Sequence, residues 1–453
     1  MRFILTTLFL FLPVLGWTQE RSMTIEEAIQ IAVENNFQLK QAENNVMLSE
    51  QSIRSAYGDF LPNLNANFGG NRDVGRQFVE ETLAFEDITA YRITGGIGTN
   101  VTIFEGFQNI NNLRRSRADH EQQKASTDRI RENIIFDTAM RYLALLLDKE
   151  LLEIAKQTLE TSLMQLEQVE AQVEVGARPV VDLYQQQSTV ATHELQVVQA
   201  ENAVNISRTR LIRILQIEPD PDLEFVVPDF DDSDLMPQNL NLEEMIQAAL
   251  ATRRDLHSQE YQIQSDRYSL DIARANRYPS ISASASLSSS YSDQFTGIID
   301  PDTEEFGTIP FMDQFFDQRI GRGMGISVSI PIFNRFNTST NIQQAQIQFR
   351  NSQLQLDDIK FGIREDISQA YNDYQSLIKE LEATERTVQA AERAFETQQQ
   401  RYEIGATTLI ELNLATTDYV QALSDRQSVK FNFIFQEKLL DYYIGRLEAN
   451  LSF

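Results

Sequence analysis

The side chains that could carry out chemistry in this 453-residue chain are almost all carboxylates. Asp and Glu number 66 against 39 Lys and Arg, the formal net charge is −27 at pH 7, and there is no cysteine. The missing cysteine rules out disulfides, Cys-ligated zinc, thiol catalysis and iron–sulfur clusters. The acidic balance argues against nucleic-acid binding through a basic surface. An enzyme built from this chain would have to use carboxylates or hydroxyls.

The histidines and the acidic segments do not form a recognisable site. His120, His193 and His257 are too dispersed in sequence to predict an imidazole metal site. No acidic pair stands out from solvated helix faces in the way that carbohydrate cleavage requires. Residues 218–238 are rich in Asp and Pro, but the glycine and spacing of a calcium-binding loop are missing. We therefore predict no catalytic residue, no metal site and no cofactor, and we interpret this segment as a solvated linker.

The first residues have the pattern of a secretory signal. Arg2 precedes an apolar run over residues 3–15, which is followed by small residues. Because a membrane-spanning helix needs about 20 apolar residues, we predict a cleaved signal peptide over residues 1–18. An uncleaved anchor is the alternative. The rest of the sequence predicts no transmembrane helix, so any later insertion into a membrane must use strands.

The remaining chain contains two copies of one unit. Asn241–Gln247 repeats the pattern of Thr24–Gln30, and a second constant offset carries the glycine turn at Gly176 onto the turn at Gly405. Each copy predicts the order helix, helix, strand, strand, long helix, helix. The predicted organisation is a first repeat over 19–217, an acidic Pro-rich linker over 218–240 and a second repeat over 241–453, with helical hairpins over 107–216 and 336–448.

Alternating residues follow the proline that ends the second helix of each copy. After Pro279, apolar or small residues occupy odd positions and serine occupies even ones, and Met324–Ile332 alternates in the same way. One apolar face beside a face of Ser, Thr, Asn and Gly is typical of membrane-spanning strands, although a half-buried soluble hairpin is the alternative. We expect four strands within 64–103 and 281–332. The loops Arg72–Thr89 and Asp293–Arg319 should then face outside.

The segments after the strands predict long helical hairpins. Phe107–Glu174 contains neither Pro nor Gly, which corresponds to a helix of about 100 Å at 1.5 Å per residue. Apolar residues recur every seven positions, as in a coiled-coil seam, and His193 beside this row is expected to be a packed residue rather than a ligand. The predicted rows are Leu145, Leu152, Leu159, Leu166 and Val173; Leu183, Val190, Val197, Val204 and Leu211; and Leu412, Tyr419, Arg426, Phe433 and Leu440.

Taken together, these features resemble the outer membrane efflux proteins, the TolC-like channels. The resemblance covers almost the whole chain after the signal, and it is carried by Leu61–Leu64, Ile103–Gly106, Pro331–Asn334 and the two glycine turns. It implies an α+β membrane protein, in which a trimeric 12-stranded transmembrane β-barrel with four strands per chain continues into a long periplasmic α-helical barrel of antiparallel coiled-coil hairpins. Oligomerisation is also expected physically, because four strands are too few to close a barrel in lipid.

The resemblance further implies a site at the glycine turns. Asp182 and Glu411 have an alternative role as ordinary acids in a helix's first turn. Relatives carry a basic residue where this chain has Thr407, and Arg178 takes the matching place in the first copy, so the latch is expected to be rewired or weaker. The implied adaptor-binding tips are Val175, Gly176, Ala177, Ile404, Gly405 and Ala406, and the implied pore constriction is Asp182, Glu411 and Tyr402.

The function implied by the resemblance is that of an exit channel in the outer membrane of a Gram-negative bacterium, with a large periplasmic extension. Its expected partners are two further copies of the chain, a periplasmic adaptor, an inner-membrane transporter of the RND or ABC class, and outer-membrane lipid. A rival hypothesis is a periplasmic coiled-coil adaptor, which would normally have one hairpin and globular β domains. The nine Met are scattered, so the sequence gives no support for copper or silver export.

Overall fold

The computed structural model describes residues 21–79, 83–221, 223–226, 237–300 and 305–446. The predicted signal peptide lies outside the described residues. Contacts group the chain into two compact units. The first comprises the residues up to Gln41, Asp128–Arg253 and the residues from Phe361 onward, and the second comprises Ala42–Thr127 and Arg254–Lys360. Each unit therefore combines segments from both copies of the sequence repeat.

The same succession of helices and strands occurs in both halves of the chain. The first half has β1 (Arg21–Met23), α1 (Ile25–Asn35), α2 (Phe37–Gly58), β2 (Asn65–Val79), β3 (Ala84–Glu105), α3 (Gln108–Glu174) and α4 (Val180–Leu215). The second half has β4 (Leu223–Phe225), α5 (Leu242–Thr252), α6 (Arg254–Ala275), β5 (Ser280–Ser292), β6 (Thr296–Asp300), β7 (Glu305–Thr308), α7 (Phe311–Asp313), β8 (Gly321–Ser329), α8 (Asn337–Glu403) and α9 (Leu409–Tyr443). Among the helices of the described ranges, none is both long and apolar enough to cross a membrane.

Four strands of the second unit form one antiparallel sheet in the order β2-β3-β5-β8, with β2 and β8 at its edges. The register places Ala283 between Val101 and Ile326. Because side chains alternate along a strand, apolar residues collect on one face and Ser, Gly, Asn and Thr on the other. We call the first the apolar face. It carries Ala66 and Phe68 on β2, Ile93, Ile97 and Val101 on β3, Ile281, Ala283, Ala285 and Leu287 on β5, and Met324, Ile326 and Val328 on β8. Ser289 of β5 and Arg322 of β8 point to the same face near its end.

Most of the segment Arg72–Thr89, predicted as a loop, is strand. β2 and β3 remain paired as far as Val79 and Ala84. The frequent charges of this segment resemble loop composition, which is why the sequence prediction was wrong. In the structure the charges take part in cross-strand pairs, as where the guanidinium of Arg72 lies 5.7 Å from the centroid of the Tyr91 ring.

The second predicted loop, Asp293–Arg319, also contains regular structure. It holds the short hairpin of β6 and β7, then α7, and then a π-helical turn at Gln314–Gln318. These elements are only three to five residues long, so their sequences show no period that distinguishes them from a loop.

The core of the first unit includes a pair of strands that the sequence did not predict. β1 pairs in parallel with β4, which lies inside the segment interpreted as a solvated linker. That interpretation was wrong for Leu223 and Phe225, because both side chains are buried in the core. The hydroxyl of Tyr142 in α3 lies 2.8 Å from the Met23 carbonyl oxygen and 2.7 Å from that of Val226. This one side chain thus holds the two short strands against α3.

The predicted coiled-coil rows are only partly buried in the single chain. The buried members are Leu145, Val190, Leu211, Leu412, Phe433 and Leu440, and the others are half-buried. Arg426 is the one charge in the rows, and its Nε donates to Glu385 Oε2 of α8 at 2.6 Å. An ion pair between the two helices therefore replaces an apolar contact at this position.

Candidate functional site at the glycine turns

The two glycine turns have the same backbone geometry. Gly176 and Gly405 have φ values of +74° and +75°, in the left-handed region that a side chain disfavours. The residue after each glycine donates a hydrogen bond to the carbonyl five residues earlier. Ala177 N–H lies 2.8 Å from the Gln172 carbonyl oxygen, and Ala406 N–H lies 2.7 Å from that of Arg401. This is the Schellman arrangement, which satisfies the last carbonyl groups of a helix. α3 and α8 thus end in the same way.

The helices that follow the turns begin differently. α9 is capped by Thr408, whose Oγ1 accepts a 3.3 Å bond from Glu411 N–H, and the Thr407 hydroxyl bonds to the Glu411 carboxylate. α4 begins after Pro179, which has no side chain that can cap, and Asp182 lies in its first turn. Both acids therefore lie in the first turn of a helix, which is the alternative role that the sequence gave them. Glu411 is exposed.

Arg178 joins the two turns. Its Nη2 donates to the Tyr402 carbonyl at 2.9 Å, and its Nε donates to Gln172 Oε1 at 2.7 Å. Its Nη1 lies 3.7 Å from Asp182 Oδ2. Because Arg178 and Asp182 belong to the first turn and Tyr402 to the second, one guanidinium ties the end of α8 to the start of α4. The sequence marked Arg178 as a departure from relatives but did not reveal these contacts.

Tyr402 lies inside the chain rather than on its surface. Only 2% of the residue is exposed, and it packs in an apolar cluster with Val169, Leu409 and Leu412. Its hydroxyl has no hydrogen-bond partner among the described residues. Burial raises the pKa of this hydroxyl, and the nearby Arg178 opposes the rise. A pore-facing role for Tyr402 stays a prediction. Within the single chain, its ring packs in the apolar cluster between the two hairpins.

The ends of the turns present apolar side chains to solvent. Val175 is 78% exposed and Ile404 is 80% exposed. Each glycine turn thus projects one branched apolar side chain, next to further exposed apolar residues on the helices that leave it. These neighbours are Val180, Val181 and Tyr184 on α4 and Ile410 and Leu414 on α9. Exposed apolar clusters of this kind are typical of protein interfaces.

Each of the three histidines has a hydrogen-bond partner of its own. Ser49 pairs with His120, Ser162 with His193 and Glu260 with His257. Burial lowers the pKa of His193, whose Nδ1 lies 2.5 Å from Ser162 Oγ on α3. The described residues include no group of three or more His, Asp or Glu side chains placed to hold a metal ion.

The comparison with known protein families covers the sheet, the long helices and the two turns. The model of the outer membrane efflux protein family matches residues 28–215 and 245–430, one match in each copy of the repeat. The chain belongs to the outer membrane efflux protein family. This membership makes it an outer-membrane protein of a Gram-negative bacterium.

Individual relatives of the family are distant but match over most of their length. The chain is 20% identical to the outer membrane efflux protein BepC of Brucella suis over 431 residues, covering 95% of this chain and 87% of BepC. It is 23% identical to TolC of Escherichia coli over 372 residues, covering 79% and 72%. The CmeC outer membrane channel of Campylobacter jejuni superposes with a TM-score of 0.78 at 16% identity, covering 93% and 86%. The chain therefore has the fold of the TolC-like channels.

Proposed function

We propose that the chain is the outer-membrane exit channel of a tripartite efflux or type I secretion system. In this role it conducts substrates passively from a periplasmic adaptor and an inner-membrane pump to the exterior. The observation that carries the proposal is the four-stranded sheet with one apolar face and two edge strands. The family membership supports it, because the family's relatives carry names of efflux and export channels.

The sheet edges are the first argument. In lipid every backbone hydrogen-bonding group must be satisfied, so β2 and β8 each need a strand partner. Pairing β8 of one copy with β2 of the next satisfies both edges at once, and three copies give a closed barrel of 12 strands. The apolar face would then contact lipid, and the face of Ser, Gly, Asn and Thr would surround an aqueous passage.

The glycine turns are the second argument. Val175 and Ile404 provide paired apolar contacts for the helical hairpins of an adaptor, together with the backbone at Gly176, Ala177, Gly405 and Ala406. Asp182 and Glu411 of three copies would form acidic rings at the end of the helical passage. Rings of carboxylates favour cations and oppose anions. The two acids are therefore the proposed constriction.

The cargo is a separate question. Matched relatives include the pyoverdine export protein OpmQ of Pseudomonas aeruginosa, the cation efflux protein CusC of Escherichia coli and the solvent efflux protein SrpC of Pseudomonas putida. Their identities to this chain are all between 22% and 24%. These relatives are named for different cargoes but are about equally similar to this chain. Sequence similarity therefore does not select one of these cargoes for it.

Extraction from outer membranes tests the proposal against the rival adaptor hypothesis. A channel should be recovered from the outer-membrane fraction as a detergent-soluble trimer and should conduct ions in a planar bilayer. An adaptor should instead be recovered from the periplasm or inner membrane and should not conduct. A soluble monomer would refute the channel, whatever its affinity for a pump.

A further inference from the structure

The segment between β7 and β8 folds back onto the sheet. We call residues 311–318, which comprise α7 and the π-helical turn, the foot. Gln314 is fully buried and fixes its position. The Gln314 amide donates to the Ile309 carbonyl at 2.7 Å and to the Ser292 carbonyl at 2.9 Å, and its Oε1 accepts from Ser292 N–H at 3.0 Å. The two bonds to Ser292 attach the foot to the end of β5, and the bond to Ile309 holds it to the residues that precede it.

Phe315 shows which face of the sheet the foot covers. Gly95 lies opposite Phe68 on one side and Ser289 on the other. A Cβ atom on Gly95 would lie 2.6 Å from the Phe315 ring and 2.9 Å from the Phe68 ring. Phe315 therefore lies directly against the glycine, next to Phe68 on the apolar face. The Ser289 hydroxyl, which belongs to the same row, donates to the Phe315 carbonyl at 2.5 Å.

The foot is a cluster of aromatic rings that is apolar on its outer side as well. The Phe311 ring stacks on Phe315 with centroids 5.1 Å apart and meets Tyr291 of β5 at 5.3 Å. Phe316 packs on Phe315 at 5.2 Å but is still 61% exposed, and Met312 is 66% exposed. Because moving a large apolar side chain out of water is favourable, leaving two of them exposed is unfavourable. An apolar occupant is therefore expected over this surface.

The position of the foot along the strands identifies that occupant. The foot contacts β5 at Ser289 to Ser292, whereas the strand begins at Ser280. A tilted strand crosses a bilayer in about 9–11 residues. The foot thus lies where the strands leave the apolar band, at the level where membrane barrels carry aromatic girdles. At the other end of the strands, Phe107 and Phe336 are exposed in the same manner.

We propose that the foot is a membrane anchor which places Phe316 and Met312 in the acyl-chain boundary of the outer leaflet. The occupant is lipid, because the foot lies directly on the apolar face, against Gly95 and beside Phe68 and Tyr291. This inference rests on the proposed function, in which the apolar face contacts lipid. It adds a lipid-contacting element that does not belong to any membrane-spanning strand.

The chain allows a direct test, because its one tryptophan, Trp17, lies in the predicted signal peptide. In a Trp17→Phe background, single reporters are introduced as Phe316→Trp and Met312→Trp, and the full chain is reconstituted in vesicles of lipids brominated on the acyl chains. Ile326→Trp on the apolar face is the positive control. Phe85→Trp, which is exposed on β3 well beyond the last pair with β5 at Arg92, is the negative control.

We expect bromine quenching of both foot reporters to reach at least half of the quenching at Ile326 and to exceed that at Phe85 severalfold. Quenching at the foot no greater than at Phe85, with Ile326 quenched, would overturn the foot and leave the channel intact. In that case a blue-shifted emission would indicate a protein partner over the foot, and a red-shifted one would indicate water. An unquenched Ile326 reporter would overturn the lipid face itself, and the foot with it.

Discussion

The guanidinium carbon of Arg178 lies 3.8 Å from the centroid of the Tyr402 ring. A cation from the first glycine turn thus covers the buried aromatic ring of the second, while its remaining nitrogens bind Gln172 and the Tyr402 carbonyl. The matching place in the second turn holds the neutral Thr407. This contact between the two hairpins is made within one chain, by a residue of the first turn.

Replacing Arg178 with Ala should loosen the end of α8. The change removes a cation–π contact of about 0.5–2 kcal/mol and a charged hydrogen bond of about 1.5–3 kcal/mol. Because local opening need not unfold the protein, amide hydrogen exchange is the appropriate measurement. We expect exchange over residues 400–406 to accelerate roughly tenfold or more. Arg401→Ala is the matched control, since Arg401 is exposed and bonds to Gln398 and Ala406 near its own turn.

Tyr402→Phe provides a second comparison at the same contact. The ring that lies under Arg178 is kept, and only the hydroxyl without a partner in the described residues is lost. Since a buried unsatisfied hydroxyl is unfavourable, this variant should be neutral or slightly stabilising. If Tyr402→Phe accelerates exchange as much as Arg178→Ala, the hydroxyl has a partner in the assembled protein.

The two proposed constriction acids should contribute unequally to ion selectivity. Asp182 is paired with Arg178 at 3.7 Å, whereas Glu411 is exposed and is bound by a neutral hydroxyl. Glu411→Gln should therefore reduce the cation preference more than Asp182→Asn, and the double variant should also weaken block by multivalent cations. Reversal potentials under a salt gradient measure the preference. Unchanged selectivity in the double variant would show that both acids are ordinary helix-start residues.

A charge on the apolar face should impair assembly. Ile326 is 74% exposed on that face, and its neighbour Ser327 points to the other. Ile326→Arg should cost about 2 kcal/mol in lipid and should reduce the yield of trimer in outer membranes. Ser327→Arg, with the same charge one residue away, should be much milder because it points into water. Equal yields from the two variants would contradict the assignment of the faces.

The strand-to-helix joints of the two copies should respond differently to mutation. Gly106 has φ of +59°, and a Cβ there would lie 2.5 Å from the Ala275 carbonyl oxygen. The matching residue of the second copy, Arg335, adopts φ of +57° with a side chain already present and exposed. A left-handed residue costs about 1–2 kcal/mol. Gly106→Ala should therefore lower the thermal unfolding midpoint clearly, and Arg335→Gly should leave it unchanged or raise it slightly.

His193 should make the helical hairpin sensitive to acid. Burial lowers the pKa of His193 below its ordinary value of 6.5. Below pH 6.5 the unfolded chain therefore takes up a proton at this residue more readily than the folded chain does. The stability contributed by the neutral histidine is fully present above pH 6.5 and falls as the pH drops further. In His193→Asn this contribution disappears. Unfolding midpoints at about pH 7.5 and pH 5.5 should differ less in the variant than in the parent protein.

The long helices and the strands of the four-stranded sheet could be predicted because each has a clear period. α3 was expected from Phe107 to Glu174 and is observed from Gln108 to Glu174. The serine alternation after Pro279 likewise matches β5. Short elements such as β4 and the foot were missed, because three to five residues cannot display a period and depend on tertiary contacts such as those of Gln314.

The candidate site could be predicted less completely than the fold. Offsets between the copies identified the two glycine turns, and their common geometry agrees with the repeat. The bond from Arg178 to the Tyr402 carbonyl joins residues 224 positions apart. A single sequence contains no signal for such a contact, because it depends on how the two hairpins pack.

The division of the chain into two units has a consequence for biogenesis. The core of the first unit needs Met23 from the beginning of the chain and Phe431 and Ile434 from near its end. The sheet of the second unit cannot be completed before β8. During secretion neither unit can reach its final packing until nearly the whole polypeptide has been translocated. The nascent chain therefore crosses the periplasm with its apolar face uncovered, a state in which exposed apolar surface is prone to aggregate.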